Sequence, residues 1–217
     1  MKKLLFFGDS ITDADRDRKT DDLPFSRGRG YVFLLDGELS EKYPMEYHVL
    51  NRGVAGNNIA DLYARAKIDC WNLKPDMLTI TMGINDVCFE EYTKNPNGVE
   101  IDRFDVLYRM LLDDTIKYCG NISIVLIQPF ILTTRENDTM YKDFLAESQK
   151  YAAVVEKIAK DYGCYTISMQ QTFEKWAEKY GVKHVLYDGT HPNVAGAKLI
   201  ANEWMRIFEQ IKAERKI

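Results

Sequence analysis

Four short motifs, widely spaced in the 217-residue chain, contain the residue types that serine-based acyl transfer needs. They are Gly8-Asp9-Ser10, Gly53-Val54-Ala55-Gly56-Asn57, Gly83-Ile84-Asn85-Asp86 and Asp188-Gly189-Thr190-His191-Pro192. Together they supply a serine hydroxyl, two groups able to bind an oxyanion, and a carboxylate three residues before a histidine. This set predicts nucleophilic catalysis through a covalent ester.

The serine needs a base to remove its proton, and the chain has three histidines that could serve. His48 lies inside a predicted strand, and His184 lies in a loop with no carboxylate at a suggestive spacing. His191 follows Asp188 in a short turn that could point both side chains inward, so that the carboxylate fixes the imidazole tautomer. We therefore predict His191 as the base and Asp188 as its partner, with Pro192 in the first turn of the last helix. Taken alone, this motif could equally be an Asp turn and helix cap with a surface histidine.

The two middle motifs could bind the negative charge of a tetrahedral intermediate. Gly56 has no side chain to keep its backbone N–H away from a ligand. Asn85 could donate a side-chain N–H, and the Ser10 N–H could be a third donor. Asn57 and Asn58 could cap the helix that follows them. For Gly56 or Asn85 alone, a purely structural role as a turn residue or a loop-capping amide remains an alternative.

Short apolar runs alternate with longer segments of helical periodicity, which predicts a parallel sheet flanked by helices in a three-layer α/β/α sandwich. The predicted strands are Lys3–Gly8, Tyr47–Asn51, Met77–Met82, Ile122–Gln128 and Cys164–Ser168. The predicted helices carry apolar stripes over Phe104–Ile116, Met140–Tyr162 and Ile200–Ile211. Three motifs follow the first three strands, and ligands bind beyond the carboxyl ends of parallel strands, so these motifs should meet at one edge. The absence of repeats and linkers predicts a single domain over residues 1–217.

Composition excludes several classes of function. The net charge of -4 comes from 29 basic and 33 acidic residues that are mixed along the chain, which argues against nucleic acid and anionic membrane as partners. Only four apolar residues, Leu4–Phe7, follow the first lysines, whereas a secretion signal needs roughly 7–15. We therefore expect a soluble protein that stays in the cytoplasm. The dispersed cysteines Cys70, Cys88, Cys119 and Cys164 are expected to be reduced thiols.

Competing motifs fail on inspection. Asp13-Ala14-Asp15-Arg16-Asp17 is similar to the start of a calcium loop, but Arg18 and Pro24 stand where that loop requires Gly and Glu. Thr12 stands where the last glycine of a Gly-x-Ser-x-Gly elbow should be, which argues against an α/β-hydrolase. The chain has no phosphate loop and no zinc-ligand spacing. We expect no metal and no cofactor.

At these residues the chain resembles the SGNH, or GDSL-type, hydrolase superfamily. The first block of the family is similar to Gly8-Asp9-Ser10-Ile11-Thr12-Asp13. The glycine of its second block falls on Gly56 and the asparagine of its third on Asn85. The Asp/His pair of its fifth block falls on Asp188 and His191. The resemblance implies Ser10 as nucleophile, His191 as base and Asp188 as its orienting partner. It also implies an oxyanion hole formed by Ser10, Gly56 and Asn85. The fold it implies is a flavodoxin-like sandwich with a five-stranded parallel sheet.

Within the superfamily, the chain looks most like intracellular bacterial acetylxylan esterases. The resemblance lies in Gly30-Tyr31-Val32, Asn51–Asn57, Asp69–Asp76 and Gly83–Val87. It implies a serine esterase that removes O-acetyl groups from soluble carbohydrates of the xylo-oligosaccharide type, and a possible homo-oligomer. One departure is Tyr187, where those esterases are expected to have tryptophan. An acetylated sugar would need a wide rim, for which Thr12–Arg29, Val87–Asn97 and the loop after Phe130 are candidates.

Three other functions compete with this one. A broader esterase, thioesterase or lysophospholipase could use the same catalytic groups on longer acyl chains. A non-catalytic carbohydrate-binding module on a hydrolase-like scaffold would explain the fold but not the full set of catalytic residue types. A flavodoxin-like nucleotide binder would need a phosphate-binding signature, which the sequence lacks.

Overall fold

A computed structural model describes residues 1–87, 98–134 and 139–217. Its sheet has five parallel strands: β1 (Lys2–Gly8), β2 (Tyr47–Gly53), β3 (Met77–Thr81), β4 (Ser123–Ile127) and β5 (Tyr165–Ile167). The strands lie in the order β2-β1-β3-β4-β5, which is the flavodoxin-like order. All five predicted strands are confirmed, with ends that differ by one or two residues.

Helices connect the strands and cover both faces of the sheet. They are α1 (Ser10–Asp13), α2 (Tyr31–Lys42), α3 (Ile59–Asp69), α4 (Ile84–Val87), α5 (Ile101–Cys119), α6 (Thr139–Tyr162), α7 (Gln170–Tyr180), α8 (Val182–Val185) and α9 (Val194–Ala213). The three helices predicted from apolar stripes correspond to α5, α6 and α9. The predicted three-layer sandwich is therefore confirmed.

Alternation along β1 shows how the sequence builds two cores. Leu4 and Phe6 point to one face of the sheet, and Leu5 and Phe7 point to the other, because successive strand side chains alternate. The first pair packs with apolar residues of α2 and α9, the second with those of α3, α5 and α6. Burial on both faces explains why the strand reads as a continuous apolar run.

Trp204 on α9 anchors the first core. Its side chain is fully buried, its ring lies 5.2 Å from that of Phe6, and its indole N–H donates to Thr79 Oγ1 at 2.8 Å. We expect Trp204→Ala to lower the free energy of unfolding by about 3–5 kcal/mol, because it opens a cavity and removes the donor to Thr79. Denaturant unfolding measures the loss, with Val106→Ala on the exposed surface of α5 as the control. Equal stability of the two variants would contradict the prediction.

Among the helices that the structure describes, none combines the length and the apolar character needed to cross a bilayer. The cysteines at 70, 119 and 164 are free thiols. Cys88 lies outside the described residues.

Candidate active site

Ser10 is placed by a tight junction between β1 and α1. The strand ends at Gly8, and Asp9 caps the helix by accepting the Ile11 N–H at 2.9 Å. This puts Ser10 at the first helical position, where its own N–H has no partner within the helix. The Ser10 hydroxyl faces the imidazole of His191, with Oγ 2.8 Å from Nε2.

His191 is held by a turn that begins at Asp188. One carboxylate oxygen of Asp188 accepts the backbone N–H groups of Thr190 and His191 at 2.9 and 2.8 Å, and the other lies 2.7 Å from His191 Nδ1. Gly189, with φ of +96°, is required because a Cβ there would lie 2.1 Å from the carbonyl oxygen of Leu132. The structure thus brings together the serine, histidine and aspartate predicted from sequence.

One detail of this turn was predicted wrongly. Pro192 does not enter the first turn of the last helix, because Asn193 caps α9 and the helix begins at Val194. Pro192 instead forms an antiparallel bridge with Leu186. That bridge closes the turn that contains His191. The turn, rather than the first turn of α9, therefore fixes the position of His191.

The electrostatics of Asp188 suit an ionised partner for the histidine. Partial burial acts to raise the pKa of its carboxyl, but the N–H groups of His191 and Thr190 and the His191 side chain outweigh it and lower the pKa below its ordinary value. Asp188 therefore stays ionised as pH falls towards the acid range. With its Nδ1–H directed to this carboxylate, the neutral imidazole presents Nε2 as an acceptor to the Ser10 hydroxyl.

The two predicted oxyanion-binding groups lie on segments joined by a hydrogen bond: Gly56 is in the loop after β2, and Asn85 is in α4. Gly56 is exposed and adopts a φ of +82°, a left-handed conformation that favours glycine. The Asn85 amide donates one N–H to the carbonyl oxygen of Asn57 at 2.8 Å, which leaves its second N–H for a ligand. Of the two asparagines predicted to cap α3, only Asn58 does so, in a capping box with Asp61.

Arg65 is a residue of this site that sequence reasoning missed. Its guanidinium donates to the carbonyl oxygens of Gly8 and Arg52 at 2.9 and 2.8 Å, and to Asn57 Oδ1 at 2.6 Å. It thereby ties the ends of β1 and β2 to the loop that carries Gly56. Nothing in the sequence indicated this, because an arginine within a helical pattern normally extends into solvent.

A cavity of about 350 Å³ opens in front of the serine and histidine. Its lining includes Asp15, Arg29, Tyr31 and Tyr187. The Tyr187 ring stacks on the His191 imidazole, with 5.6 Å between the ring centroids and an interplanar angle of 17°. Tyr187 remains 56% exposed, so it forms a wall of the entrance rather than part of the core.

A second, larger groove of about 720 Å³ adjoins this cavity and shares Asp15 and Arg29 with it. Phe25 and Phe33 line it and are largely exposed. Most of its lining, including Phe25, belongs to the predicted rim segment Thr12–Arg29, whereas Phe33 lies on α2. Of the other rim candidates, Val87–Asn97 lies outside the described residues apart from Val87. The loop after Phe130 begins with the buried Ile131 and Leu132, and its residues 135–138 also lie outside the described part of the chain.

The other two histidines lie away from this arrangement. His184 is exposed and stacks on Trp176, and His48 lies in β2. Over residues 1–87, 98–134 and 139–217, no group of three or more His, Cys, Asp or Glu side chains could hold a metal ion.

Comparison with known proteins gives consistent matches over most of the chain. The model of the GDSL-like lipase/acylhydrolase family matches residues 6–199. An acetylxylan esterase from Geobacillus stearothermophilus is 32% identical over 210 residues, which cover 94% of this chain and 93% of that protein. The crystal structure of Axe2, an acetylxylan esterase of that organism, has a TM-score of 0.83 at 32% identity and the same coverage. A protein from Parabacteroides merdae described as a GDSL-like lipase has a TM-score of 0.87 at 30% identity, covering 94% of both chains.

Mutants of Axe2 offer a further parallel. Its catalytic mutants replace a serine, an aspartate and a histidine by alanine, and its aspartate and histidine are three positions apart, as Asp188 and His191 are here. A further mutant replaces the tryptophan that directly precedes that aspartate, the place of Tyr187 in this chain. The extent of these matches shows that the chain belongs to the GDSL-like lipase/acylhydrolase family and is a carboxylic ester hydrolase.

Proposed function

We propose that this protein is a serine esterase that removes O-acetyl groups from soluble acetylated carbohydrates of the xylo-oligosaccharide type. The observation that carries the proposal is the hydrogen-bond chain from Ser10 Oγ through His191 to Asp188, at 2.8 and 2.7 Å. It lies in a chain that is 32% identical to an acetylxylan esterase over nearly its whole length.

In the first half of the reaction, Ser10 Oγ attacks the acetyl carbonyl carbon while His191 Nε2 takes the hydroxyl proton. Asp188 stabilises the imidazolium that forms. The carbonyl oxygen becomes an oxyanion and accepts hydrogen bonds from the backbone N–H groups of Ser10 and Gly56 and from the side-chain N–H of Asn85. Collapse of the intermediate breaks the bond to the sugar oxygen, which leaves as an alcohol with the proton from His191.

The second half repeats these steps with water. His191 takes a proton from water as its oxygen attacks the acetyl-serine ester, and the same three donors bind the second oxyanion. Collapse releases acetic acid, which ionises to acetate, and His191 returns its proton to Ser10 Oγ. No cofactor or metal ion takes part in this scheme.

We expect Asn85→Ala to lower kcat by about 10²–10³-fold with a smaller change in KM. The reason is that the removed donor binds the oxyanion more strongly than the ground-state carbonyl. Initial rates with nitrophenyl acetate measure the effect. Asn72→Ala, at an exposed position outside the site, is the control. A loss of kcat below about fivefold would remove Asn85 from the oxyanion hole.

Substrate class is tested by acetate release from acetylated xylo- and manno-oligosaccharides, with acetyl and octanoyl nitrophenyl esters assayed in parallel and Ser10→Ala as the blank. We expect Ser10-dependent acetate release and poor cleavage of the octanoyl ester, because the cavity at Ser10 is small and bounded by polar side chains such as Asp15 and Arg29. Preference for xylo- over manno-oligosaccharides would identify the sugar.

A second candidate, an esterase of longer acyl chains, is favoured by one feature. The adjoining groove, with Phe25 and Phe33 among its lining residues, could hold an alkyl chain as well as a sugar face. Preference for the octanoyl ester, with the acetylated sugars untouched, would select this candidate.

Two predictions about the setting of the enzyme accompany the proposal, a cytoplasmic location and no nucleic acid or membrane partner, and a homo-oligomer is one of its possible assemblies. Fractionation of host cells tests the location, and light scattering of the purified protein tests the assembly.

A further inference from the structure

Two buried carboxyl groups are adjacent in sequence to residues of the candidate active site. Asp9 immediately precedes Ser10, and Asp86 immediately follows Asn85. Both side chains are fully buried. The strands that lead to them, β1 and β3, are neighbours, with Gly8 paired to Thr81 at their carboxyl ends.

Each carboxyl group uses one oxygen to fix a backbone N–H. Asp9 Oδ1 accepts the Ile11 N–H at 2.9 Å, which holds the turn that presents Ser10. Asp86 Oδ1 accepts the Ile59 N–H at 3.1 Å, at the start of α3 and directly after the loop that carries Gly56. Between them, the two groups set the positions of the nucleophile and of the oxyanion-binding loop.

The second oxygen of each group, Oδ2, has no hydrogen-bond partner among the described residues. An ionised carboxylate accepts hydrogen bonds at both oxygens, so burying one with an unpartnered oxygen is unfavourable. A protonated carboxyl is neutral and tolerates this environment better. Tyr108 has a third buried and unpartnered oxygen in the described part of the chain, and the negative charge of an ionised Asp86 would contribute to raising the pKa of its hydroxyl.

Charge repulsion adds to the effect of burial. Burial raises the pKa of Asp9 to about 7 and that of Asp86 to about 7, and the negative charge of Asp9 contributes to the shift of Asp86. The Ile11 and Ile59 N–H groups oppose these shifts. The other titratable or charged groups that face the pair are His191, Arg65 and Tyr31 for Asp9, and Asp61 and Tyr108 for Asp86. Because the two carboxyls interact, their protons are lost in steps that belong to the pair.

We propose that Asp9 and Asp86 are positioning residues that work as neutral carboxylic acids, fixing the nucleophile turn and the oxyanion-binding loop without placing negative charge beside the developing oxyanion. The inference rests on the proposed function, because the oxyanion arises only in acyl transfer. An ionised carboxylate at either position would repel the transition-state charge and lower the rate of acylation. Loss of the carboxyl proton from Asp9 or Asp86 therefore lowers the activity of the enzyme above neutral pH.

The test is the pH profile of kcat/KM for nitrophenyl acetate, from about pH 5 to about pH 9. For the wild type we expect a fall above neutral pH of about tenfold per pH unit, as one proton is lost. Asp9→Asn and Asp86→Asn each replace one acid by a neutral amide of the same shape. Because the other acid still ionises, we expect each single variant to keep an alkaline fall, at a pH shifted by loss of its partner's charge, and the double variant to lose most of it. Asp9→Ala removes the cap on Ile11 as well and should lower kcat/KM at every pH relative to Asp9→Asn.

The matched control is Asp76→Asn. Asp76 directly precedes β3 and accepts the Lys3 N–H at 2.7 Å, but it is exposed and lies at the opposite end of the strand from Asp86. We expect it to keep the wild-type profile. An alkaline fall that persists unchanged in the double variant would overturn the proposal, as would loss of the fall in Asp76→Asn.

A spectroscopic measurement does not depend on activity or on the variants folding. Infrared difference spectra of the wild type between pH 6 and pH 9 should show a buried carboxylic-acid carbonyl band at pH 6 that is lost at pH 9. Ser10→Ala should show the same band and the same loss. Absence of that band at pH 6 would overturn the proposal even if the enzyme is an esterase. Conversely, no Ser10-dependent ester cleavage would refute the proposed function while the band reports separately on the two acids.

Discussion

Ser10→Ala is expected to lower kcat for acetyl ester cleavage by about four to six orders of magnitude. The substitution removes the atom that forms the covalent ester in the proposed mechanism, Oγ at 2.8 Å from His191 Nε2. The backbone N–H of residue 10 remains, as do Gly56 and Asn85. The variant should therefore still bind substrate with a KM close to that of the wild type, which separates loss of chemistry from loss of binding.

Folding should change little in this variant. Ser10 is partly buried and its side chain makes one hydrogen bond, so its removal is expected to change the free energy of unfolding by no more than about 1.5 kcal/mol. Ser40→Ala, on the exposed face of α2, serves as the control in both assays. Substantial residual turnover in Ser10→Ala, with trace wild-type enzyme excluded, would mean that another group is the nucleophile.

The sequence predicted best what depends on local pattern. The strands β1, β3 and β4 are buried on both faces, so their apolar runs are continuous and can be recognised without knowledge of their neighbours. The parallel topology then carries Ser10, Gly56 and Asn85 to the same edge, because each follows the carboxyl end of a different strand. The Asp188–His191 pair was predictable because both residues lie within one short turn.

What could not be predicted depends on distant parts of the chain. Arg65 binds Gly8, which is 57 residues away, and nothing near it in sequence distinguishes it from a solvent-exposed arginine. The neutral state inferred for Asp86 depends on full burial and on the charge of Asp9, which only the assembled sheet brings near. Pro192 was misplaced because a proline suits the position before a helix cap as well as the first helical turn.

Asp188→Asn is the second large effect that we expect, a fall in kcat of about 10⁴-fold. The amide oxygen can still accept the Thr190 and His191 N–H groups, so the turn should keep its shape. The amide NH₂ then faces His191 Nδ1, where the carboxylate stood at 2.7 Å. It donates to Nδ1 and so favours the tautomer with a proton on Nε2, which cannot accept the Ser10 proton.

The contrast with Asp188→Ala isolates the tautomer from the structure of the turn. Alanine removes the hydrogen bonds to Thr190 and His191 as well, so thermal stability should fall further than in the asparagine variant while both lose activity. Asp102→Asn, at an exposed position on α5, is the matched control for a carboxylate-to-amide change. A rate for Asp188→Asn within about twofold of the wild type would show that another group orients His191. Since the pKa of Asp188 is lowered, its carboxylate stays ionised in weakly acidic solution, and its protonation should not contribute to a fall in wild-type kcat/KM there.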